Sequence, residues 1–369
     1  MRYVGRLAPS PTGALHLGNV RTFMVAWLRA RSQGGKVVFR MEDLDHPKDK
    51  PGAAAQAVED LKWLGFDWDE EYVQSERKPL YRAALAFLRS QSVASAHDSI
   101  LRSFDHSMIS PLVYPCVCSR RDVEAAQSAP HAGEQLHYPG TCRGRFATWA
   151  DACAAKTSQT FRTSQTSQTF RTSQTSQTFR TSPCWRFRVS EGTVVRFVDA
   201  FAGPYEQDVA ATLGDFPLAR DEGGAGYTLA CVVDDLLMGV TEVVRGDDLL
   251  PATPAQILLA QALVPWVQSN NPPTPIPHLS SLIPHPSYLH LPLVVGADGK
   301  RLAKRHGDTR VATFRAAGRS PEEILGALAA TCGWATPGER VSLRDLLPRL
   351  DLAVLPHTPV CVDGLFHGL

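Results

Sequence analysis

Apolar positions recur every second residue in some stretches and every third or fourth in others, and the two rhythms take turns along the chain. Residues 3–7 (Tyr-Val-Gly-Arg-Leu) have the bias of a short buried strand. Pro9, Pro11 and Gly13 then forbid both a longer strand and an early helix. From Ala14 the spacing is helical, with Leu17, Val20, Val25 and Leu28 as its apolar positions. Residues 36–40 predict a second strand, with Glu42, Asp43 and Asp45 at its carboxyl end. Helices are predicted over 51–64, packing through Ala53, Ala54, Ala57, Leu61 and Leu64, and over 77–88, led by Tyr81, Leu85 and Leu88. Farther on, Trp185, Phe187 and Val189, then Val194, Val195, Phe197 and Val198, alternate as strands do. Residues 216–220 re-enter the first pattern. A helix over 227–238, a strand over 243–245 ending in charge, a last strand over 290–295 and a helix over 321–330 complete it. Strand and helix rhythms that alternate in this way predict an α/β fold.

Three stretches interrupt the pattern. Residues 92–111 are polar and weakly patterned, and 264–286 are rich in Pro, Asn and Ser; both read as inserted surface loops. Residues 157–182 repeat Thr-Ser-Gln-Thr-Ser-Gln-Thr-Phe-Arg, bringing Phe161, Phe170 and Phe179 into register. Three aromatics among Thr, Ser and Gln bury too little surface to offset ordering entropy, so a disordered or loosely ordered insert is expected.

Composition narrows the classes. With 369 residues, 44% of them hydrophobic, the chain has material for a substantial core and one to three domains. Thirty-eight basic against 37 acidic residues leave a charge of +1, so any contact with RNA has to come from a local patch. No apolar run approaches the length of a membrane span, and the sequence opens directly on a strand. A cytoplasmic protein with no membrane contact is the expectation.

Chemistry concentrates in four places. The strand, Pro/Gly loop and helix start of residues 3–18 form a natural phosphate cradle of backbone N–H groups and helix dipole, with His16 in reach of the same oxygens. Carboxylates after the second strand lie at the sheet edge where ligands of open α/β folds bind; Glu42 is the better site residue and Asp45, before His46-Pro47, the better loop residue. Residues 299–307 (Gly-Lys-Arg-Leu-Ala-Lys-Arg-His-Gly) make a basic loop between glycines. Cys116, Cys118 and Cys142 offer three thiolates to zinc, with His131 and His137 as fourth donors on grounds of softness.

The opening stretch, the strand over 37–45 with its carboxylates and the basic loop over 299–307, in that order, resemble the class I glutamyl-tRNA synthetase family. Arg6-Leu7-Ala8-Pro9-Ser10-Pro11-Thr12-Gly13 is similar to its substrate-binding start, His16-Leu17-Gly18-Asn19 to its HIGH signature, and Arg301-Leu302-Ala303-Lys304-Arg305 to its KMSKS loop, with Ala303 in place of the serine. The resemblance covers residues 2–91, 114–150, 184–263 and 288–330. It implies a Rossmann-type catalytic core split as residues 1–90 and 216–310, a zinc-bearing acceptor insertion over 91–215, and a short helical tail over 311–369. It implies a glutamate pocket of Arg6, Leu7, Ala8, Pro9, Ser10, Glu42, Tyr227 and Arg245. An ATP site follows from Pro11, Thr12, Gly13, His16, Gly18, Asn19, Arg301 and Lys304, with magnesium accompanying the nucleotide and His16 and Lys304 as catalytic groups. Guanidinium forks suit the two carboxylates of glutamate, and Glu42 its ammonium group.

Within the family, the zinc set Cys116, Cys118, Tyr138 and Cys142, and the 62 residues after Gly307, too few for a large anticodon-binding domain, are similar to the glutamyl-queuosine tRNA(Asp) synthetases. That resemblance implies activation of glutamate by ATP and its transfer to queuosine in the anticodon loop of tRNA(Asp), by a monomer. A truncated glutamyl-tRNA synthetase charging the 3′ end, or a non-catalytic RNA-binding relic, are the alternatives.

Overall fold

The computed structural model describes residues 2–11, 13–44, 50–93, 110–126, 136–165, 182–220, 224–270, 285–296, 298–299, 302 and 309–361, with side chains left out at 125–126 and 158–165. Thr12, Asp45, His131, Arg301, Lys304 and residues 166–181 of the repeat lie outside the described residues.

Two parallel units form the heart of the molecule. Strand β1 (Val4–Leu7) pairs with β2 (Lys36–Met41), and β2 with β3 (Glu70–Val73). Farther along the chain, taking β4 to β8 for the insertion's strands, β9 (Glu242–Gly246) pairs with β10 (Ser287–Leu291). The units abut where the Thr241 N–H donates to the Val4 carbonyl and the Val4 N–H to Thr241 Oγ1, both at 2.9 Å. The chain therefore steps outward from β1 to β3 and returns on the other side of β1. A crevice at the carboxyl ends of β1 and β9 is the consequence.

Helix α1 (Leu17–Ser32) follows β1 and is buried on most of its circumference, including Val20, Met24, Val25, Leu28 and Ala30. An amphipathic stripe packed on a sheet does not need that much apolar surface. The rest is covered by the helix at Pro321–Ala330, whose Ile324, Leu325 and Leu328 share one core with α1, β1 and β2. The C-terminal helices thus cover the helix that carries the phosphate cradle. Arg21, 1% exposed, links the two parts: its Nε donates to Thr331 Oγ1 and its Nη1 to the Pro292 carbonyl, each at 3.0 Å.

Between the two units lies a lobe with β4 (Val113–Cys116), β5 (Cys184–Phe187) and β8 (Phe216–Ala219) in antiparallel order, and a hairpin of β6 (Val194–Asp199) and β7 (Gly203–Asp208). The sequence pattern foresees β5 and β6 but misses β7, because Gly203-Pro204-Tyr205-Glu206-Gln207-Asp208 has no apolar alternation. Two insert readings need correction at their edges. Residues 264–270 belong to the helix Thr253–Asn270 despite Pro265, since Trp266 and Val267 carry its buried face onward. By length and composition the stretch Asp247–Asn270 is apolar enough to cross a membrane, but 56% of its most apolar window is packed inside the protein. The first nine residues of the repeat, 157–165, continue the helix Trp149–Gln165. That helix is held by Trp149 stacked on Trp185 at 4.9 Å and by Lys156 donating to the Val117 carbonyl. The last strand is two pieces, β10 and β11 (Val294–Val295), parted at Pro292 and Leu293, and β11 pairs with β12 (Val360–Cys361).

Gly326 in the tail helix offers a sharp check. Alanine is a better helix former than glycine by about 1 kcal/mol. A Cβ here, however, would stand 1.8 Å from the Glu339 carbonyl oxygen, a backbone atom that cannot swing aside. Gly326→Ala is expected to lower stability by about 1–3 kcal/mol, as overpacking does. Denaturant unfolding measures it; a stability equal to or above that of the unchanged protein contradicts this packing of the tail helix against the Glu339–Arg340 backbone.

Candidate active site

The crevice between β1 and β9 holds a cavity of about 400 Å³ lined by residues from six chain segments. Arg6, Ala8 and Ser10 come from β1 and the loop after it, Glu42 from the end of β2, and Arg245, Gly246 and Asp248 from the end of β9. Tyr227 starts a helix, Asn19 and Thr22 lie in the first turns of α1, and Leu293 and Val294 follow β10. Residues 240 positions apart thus meet because both strands end at one crevice. A second cavity of about 260 Å³ adjoins it, lined by Pro9, Gly13, Leu15, His16, Asn19 and Ala57. Two residues of the expected site stand elsewhere. The Leu7 side chain is fully buried in the core under α1, and Pro11 lines neither cavity, its carbonyl accepting the Lys50 N–H at 3.1 Å.

Beneath the cavity is a buried charge cluster that the sequence pattern does not announce. Arg40 has no exposed surface. Its Nη2 and Nε donate to Glu42 Oε1 at 2.8 and 3.3 Å, and its Nη1 to Asp235 Oδ1 at 2.6 Å. Burial opposes its charge, yet Asp235 and Glu42 outweigh that and hold its pKa well above the usual value. Asp235 also faces Arg6 Nε at 3.4 Å. Neighbouring Asp234 accepts from Arg77 Nε at 2.7 Å, Tyr81 Oη at 2.8 Å and Gln74 Nε2 at 3.0 Å. All three contacts to Glu42, including the Cys231 thiol at 3.3 Å, fall on Oε1. Burial, with Glu42 and Asp235 close by, pushes the Cys231 thiol up, so it stays protonated and donates. Desolvation also pushes the Tyr227 hydroxyl up, helped by Cys231 and Glu42. Asp43, the other carboxylate at this edge, caps the next turn instead, accepting from the Ser75 N–H at 2.8 Å and hydroxyl at 2.6 Å.

Arg245 makes none of the surface pairs that its neighbours Asp247 and Asp248 suggest. Its Nε donates to His290 Nε2 at 3.0 Å and its Nη2 to Thr253 Oγ1 at 2.8 Å. Neither His290 nor Thr253 stands out in the sequence as a site residue; the only signal is a histidine set inside the apolar run Tyr-Leu-His-Leu-Pro-Leu.

On the nucleotide side, His16 is the N-cap of α1, with its N–H toward Asn19 Oδ1 at 3.5 Å. Gly18 makes room for the imidazole, since a Cβ there would lie 3.1 Å from His16 Cε1. Described residues flanking and within the basic stretch return to this spot. Leu302 donates its N–H to the Val294 carbonyl at 3.4 Å, Leu17 to the Thr309 carbonyl at 3.1 Å, and Val311 to the Leu15 carbonyl at 3.0 Å. The described residues on both sides of Lys304 are therefore tied to the cradle.

The cysteines meet 110 or so positions along the chain, in the insertion lobe. The sulfurs of Cys116, Cys118 and Cys142 lie within 4.8 Å of one another, with Cys118 and Cys142 at 3.6 Å. The Tyr138 hydroxyl is 3.2 Å from Cys116 Sγ and 3.8 Å from Cys118 Sγ, and accepts the Cys142 N–H at 2.9 Å. His137 is not part of this group: its Nε2 meets the Ala210 carbonyl at 3.1 Å. Gly214, at φ +66°, pairs with Tyr138, and a Cβ there would lie 2.2 Å from the Tyr138 carbonyl oxygen. Cys184, a fourth thiol that the spacing does not single out, sits opposite Cys116 across the β4–β5 ladder. Hydrogen bonds from Cys118, Cys142 and Cys184 draw Cys116 down toward the thiolate. The Arg186 guanidinium lies 3.8 Å from the Tyr138 ring centre. Asp215, wholly buried, anchors this lobe by accepting from Arg143 Nη2 at 2.5 Å, from the Val189 N–H at 2.8 Å and from the Tyr114 hydroxyl.

Known proteins share this framework. Residues 3–98 and 149–346 match the family of class I tRNA synthetases (E and Q), catalytic domain. The Glutamyl-Q tRNA(Asp) synthetase of Symbiobacterium thermophilum is 41% identical over 98% of this chain and 96% of its own length. That of Rhodopirellula baltica is also 41% identical, over the same shares. A crystal structure of the glutamate-tRNA synthetase from Elizabethkingia anophelis, 23% identical, shares the fold with a TM-score of 0.68 over 99% of this chain and 68% of that one. The chain belongs to the class I tRNA synthetases (E and Q), in the family of the glutamyl-Q tRNA(Asp) synthetases.

Proposed function

We propose that this protein activates glutamate with ATP and transfers it to queuosine in the anticodon loop of tRNA(Asp). The observation that carries the reading is the meeting of Arg6, Arg245 and Glu42 in one cavity beside the N-terminus of α1, in a chain whose relatives of that name match along 96% of their length. Glutamate brings two carboxylates and one ammonium group; two guanidinium groups and one carboxylate answer them. Arg40, donating to Glu42 Oε1, fixes the position of that carboxylate at the cavity wall. Tyr227, kept protonated, contributes a neutral hydroxyl at the mouth.

Activation is an in-line displacement. The glutamate α-carboxylate oxygen attacks the α-phosphorus of ATP, an O–P bond forms, and the bond to the pyrophosphate oxygen breaks. The protein's share is positioning and charge stabilisation. Gly13, His16, Gly18, Asn19 and the start of α1 cradle the nucleotide, and Lys304 and Arg301 neutralise the leaving pyrophosphate; magnesium travels with the ATP. In the second step the adenylate's acyl carbon passes to a hydroxyl of the accepting nucleoside and AMP leaves. The measurement is transfer of labelled glutamate to tRNA with and without queuosine, followed by digestion to nucleosides. Label on queuosine of tRNA(Asp) is expected. Label on the 3′-terminal adenosine of tRNA(Glu) overturns the reading in favour of a truncated glutamyl-tRNA synthetase.

We also propose that Cys116, Cys118, Cys142 and Tyr138 hold one zinc ion that orders the insertion lobe. Tetrahedral zinc with thiolates at about 2.3 Å sets neighbouring sulfurs about 3.8 Å apart. The observed 3.6 Å between Cys118 and Cys142, and the Tyr138 hydroxyl at 3.2 and 3.8 Å from two sulfurs, fit such a set. Arg186 balances part of its negative charge. Elemental analysis is expected to find one zinc per chain, and Cys118→Ser to lose both metal and thermal stability. A protein without stoichiometric metal that melts unchanged refutes it.

A further inference from the structure

Arg245 points its charge at the cavity because its back edge is already taken. The Nε–H and the nearer Nη2 hydrogen of an arginine form one side-on fork, and here that fork is spent on His290 Nε2 and Thr253 Oγ1. Nη1 has no partner among the described residues, so the end-on fork of Nη1 and Nη2 is left for a ligand. This works only if His290 Nε2 accepts. An imidazole nitrogen accepts only when it carries no proton, so the proton has to reside on Nδ1.

Asp199 enforces that arrangement. Its Oδ2 lies 2.6 Å from His290 Nδ1, and its Oδ1 accepts the N–H groups of Ala202 at 2.8 Å, Phe201 at 3.0 Å and His290 at 3.2 Å. The carboxylate is pinned by the β6–β7 turn and offers only acceptors, so Nδ1 must donate. Asp199 and His290 are each 1% exposed and Arg245 is 5% exposed. Burial, reinforced by the Arg245 charge, lowers the His290 pKa against the pull of Asp199 and keeps the ring neutral at pH 7.

We propose that Asp199 and His290 are positioning residues for amino-acid recognition: Asp199 fixes the His290 tautomer, and His290 in turn fixes the guanidinium of Arg245 so that its end-on fork reads a carboxylate of the substrate. The inference rests on the reading of the Arg245 cavity as the glutamate pocket. A fork held in this way favours a carboxylate, with two acceptor oxygens, over a carboxamide, whose NH₂ opposes one of the two donors. It also ties the insertion hairpin to substrate selection, since Asp199 ends β6 while Arg245 lies near the carboxyl end of β9.

Asp199→Asn separates this role from a merely structural one. Asparagine keeps an oxygen for the three backbone N–H groups and puts an NH₂ against Nδ1. That reverses the tautomer and sets an Nε2–H against the Arg245 Nε–H. In ATP–pyrophosphate exchange the KM for glutamate is expected to rise at least about tenfold, the loss of one hydrogen bond to a charged group. The preference for glutamate over glutamine should narrow, while the KM for ATP and the melting temperature stay near those of the unchanged protein. A KM for glutamate within twofold of the original, or equal rises for glutamate and ATP, overturns the proposal. Nitrogen-15 NMR of the histidines in the unsubstituted full chain tests it even if the variant fails to fold. The Nδ1–H tautomer of His290 is expected at pH 7, and an Nε2–H tautomer or an imidazolium overturns it. Should exchange depend on another amino acid, the glutamate reading falls. The relay is then judged by the tautomer and by the KM of that amino acid in the variant.

Discussion

One ion cluster underlies the rest: Arg40, with no exposed surface, held between Glu42 and Asp235. Removing a guanidinium from water is expensive, and only close, hydrogen-bonded acids repay it. The cluster therefore works as a whole or not at all, and its members come from β2 and from the helix beginning at Tyr227. By holding Asp235, Arg40 sets the acid that Arg6 faces; by holding Glu42 Oε1, it sets the carboxylate at the cavity wall. Both walls of the pocket are thereby referred to a single buried charge. The arrangement costs stability that apolar residues would have supplied, and in return it fixes where charge is presented.

The same logic repeats around the cavity. Arg245 is turned by His290, which is turned by Asp199, which is fixed by backbone N–H groups of a hairpin turn. The α1 cradle is braced from outside by the tail helices and from below by Arg21 on the Pro292 carbonyl. The insertion lobe is tied to its own sheet by Asp215. For Glu42 and Arg245, a charged side chain at the ligand space has its freedom removed by a buried partner one layer back. Preorganisation of this kind suits a reaction whose barrier is lowered by placement and charge rather than by covalent participation of the enzyme.

What the sequence reveals follows the same division between front and back. The carboxyl ends of β2 and β9 are readable as ligand-facing because apolar runs stop there in charge, and the family resemblance is what singles out Arg6, Glu42, Tyr227 and Arg245. The partners behind them are hidden because each stands inside an apolar run, where one polar residue is easily taken for a solvated position. Arg40 in Lys36–Met41, Asp234 and Asp235 after Cys-Val-Val, and His290 between leucines all have that appearance. A charged residue in the middle of a strand buried on both faces is itself a signal, since it has to be paired. Asp199 carried less of a signal, because a turn follows it and acids are common there. The extent of the Thr253–Asn270 helix was obscured by Pro265, and β7 by its Gly-Pro start, since local propensity opposes the element that tertiary packing keeps.

The central claim is that the crevice between β1 and β9 reads glutamate through guanidinium groups fixed from behind. The most direct measurement is a crystal structure with a non-hydrolysable glutamyl-adenylate analogue. The glutamyl carboxylate is expected on the outer fork of Arg245, with the ammonium group at Glu42, His290 still on Arg245 Nε, and the adenosine beside His16 and Asn19. A glutamyl group bound elsewhere, or an Arg245 that abandons His290 to reach it, would contradict that claim.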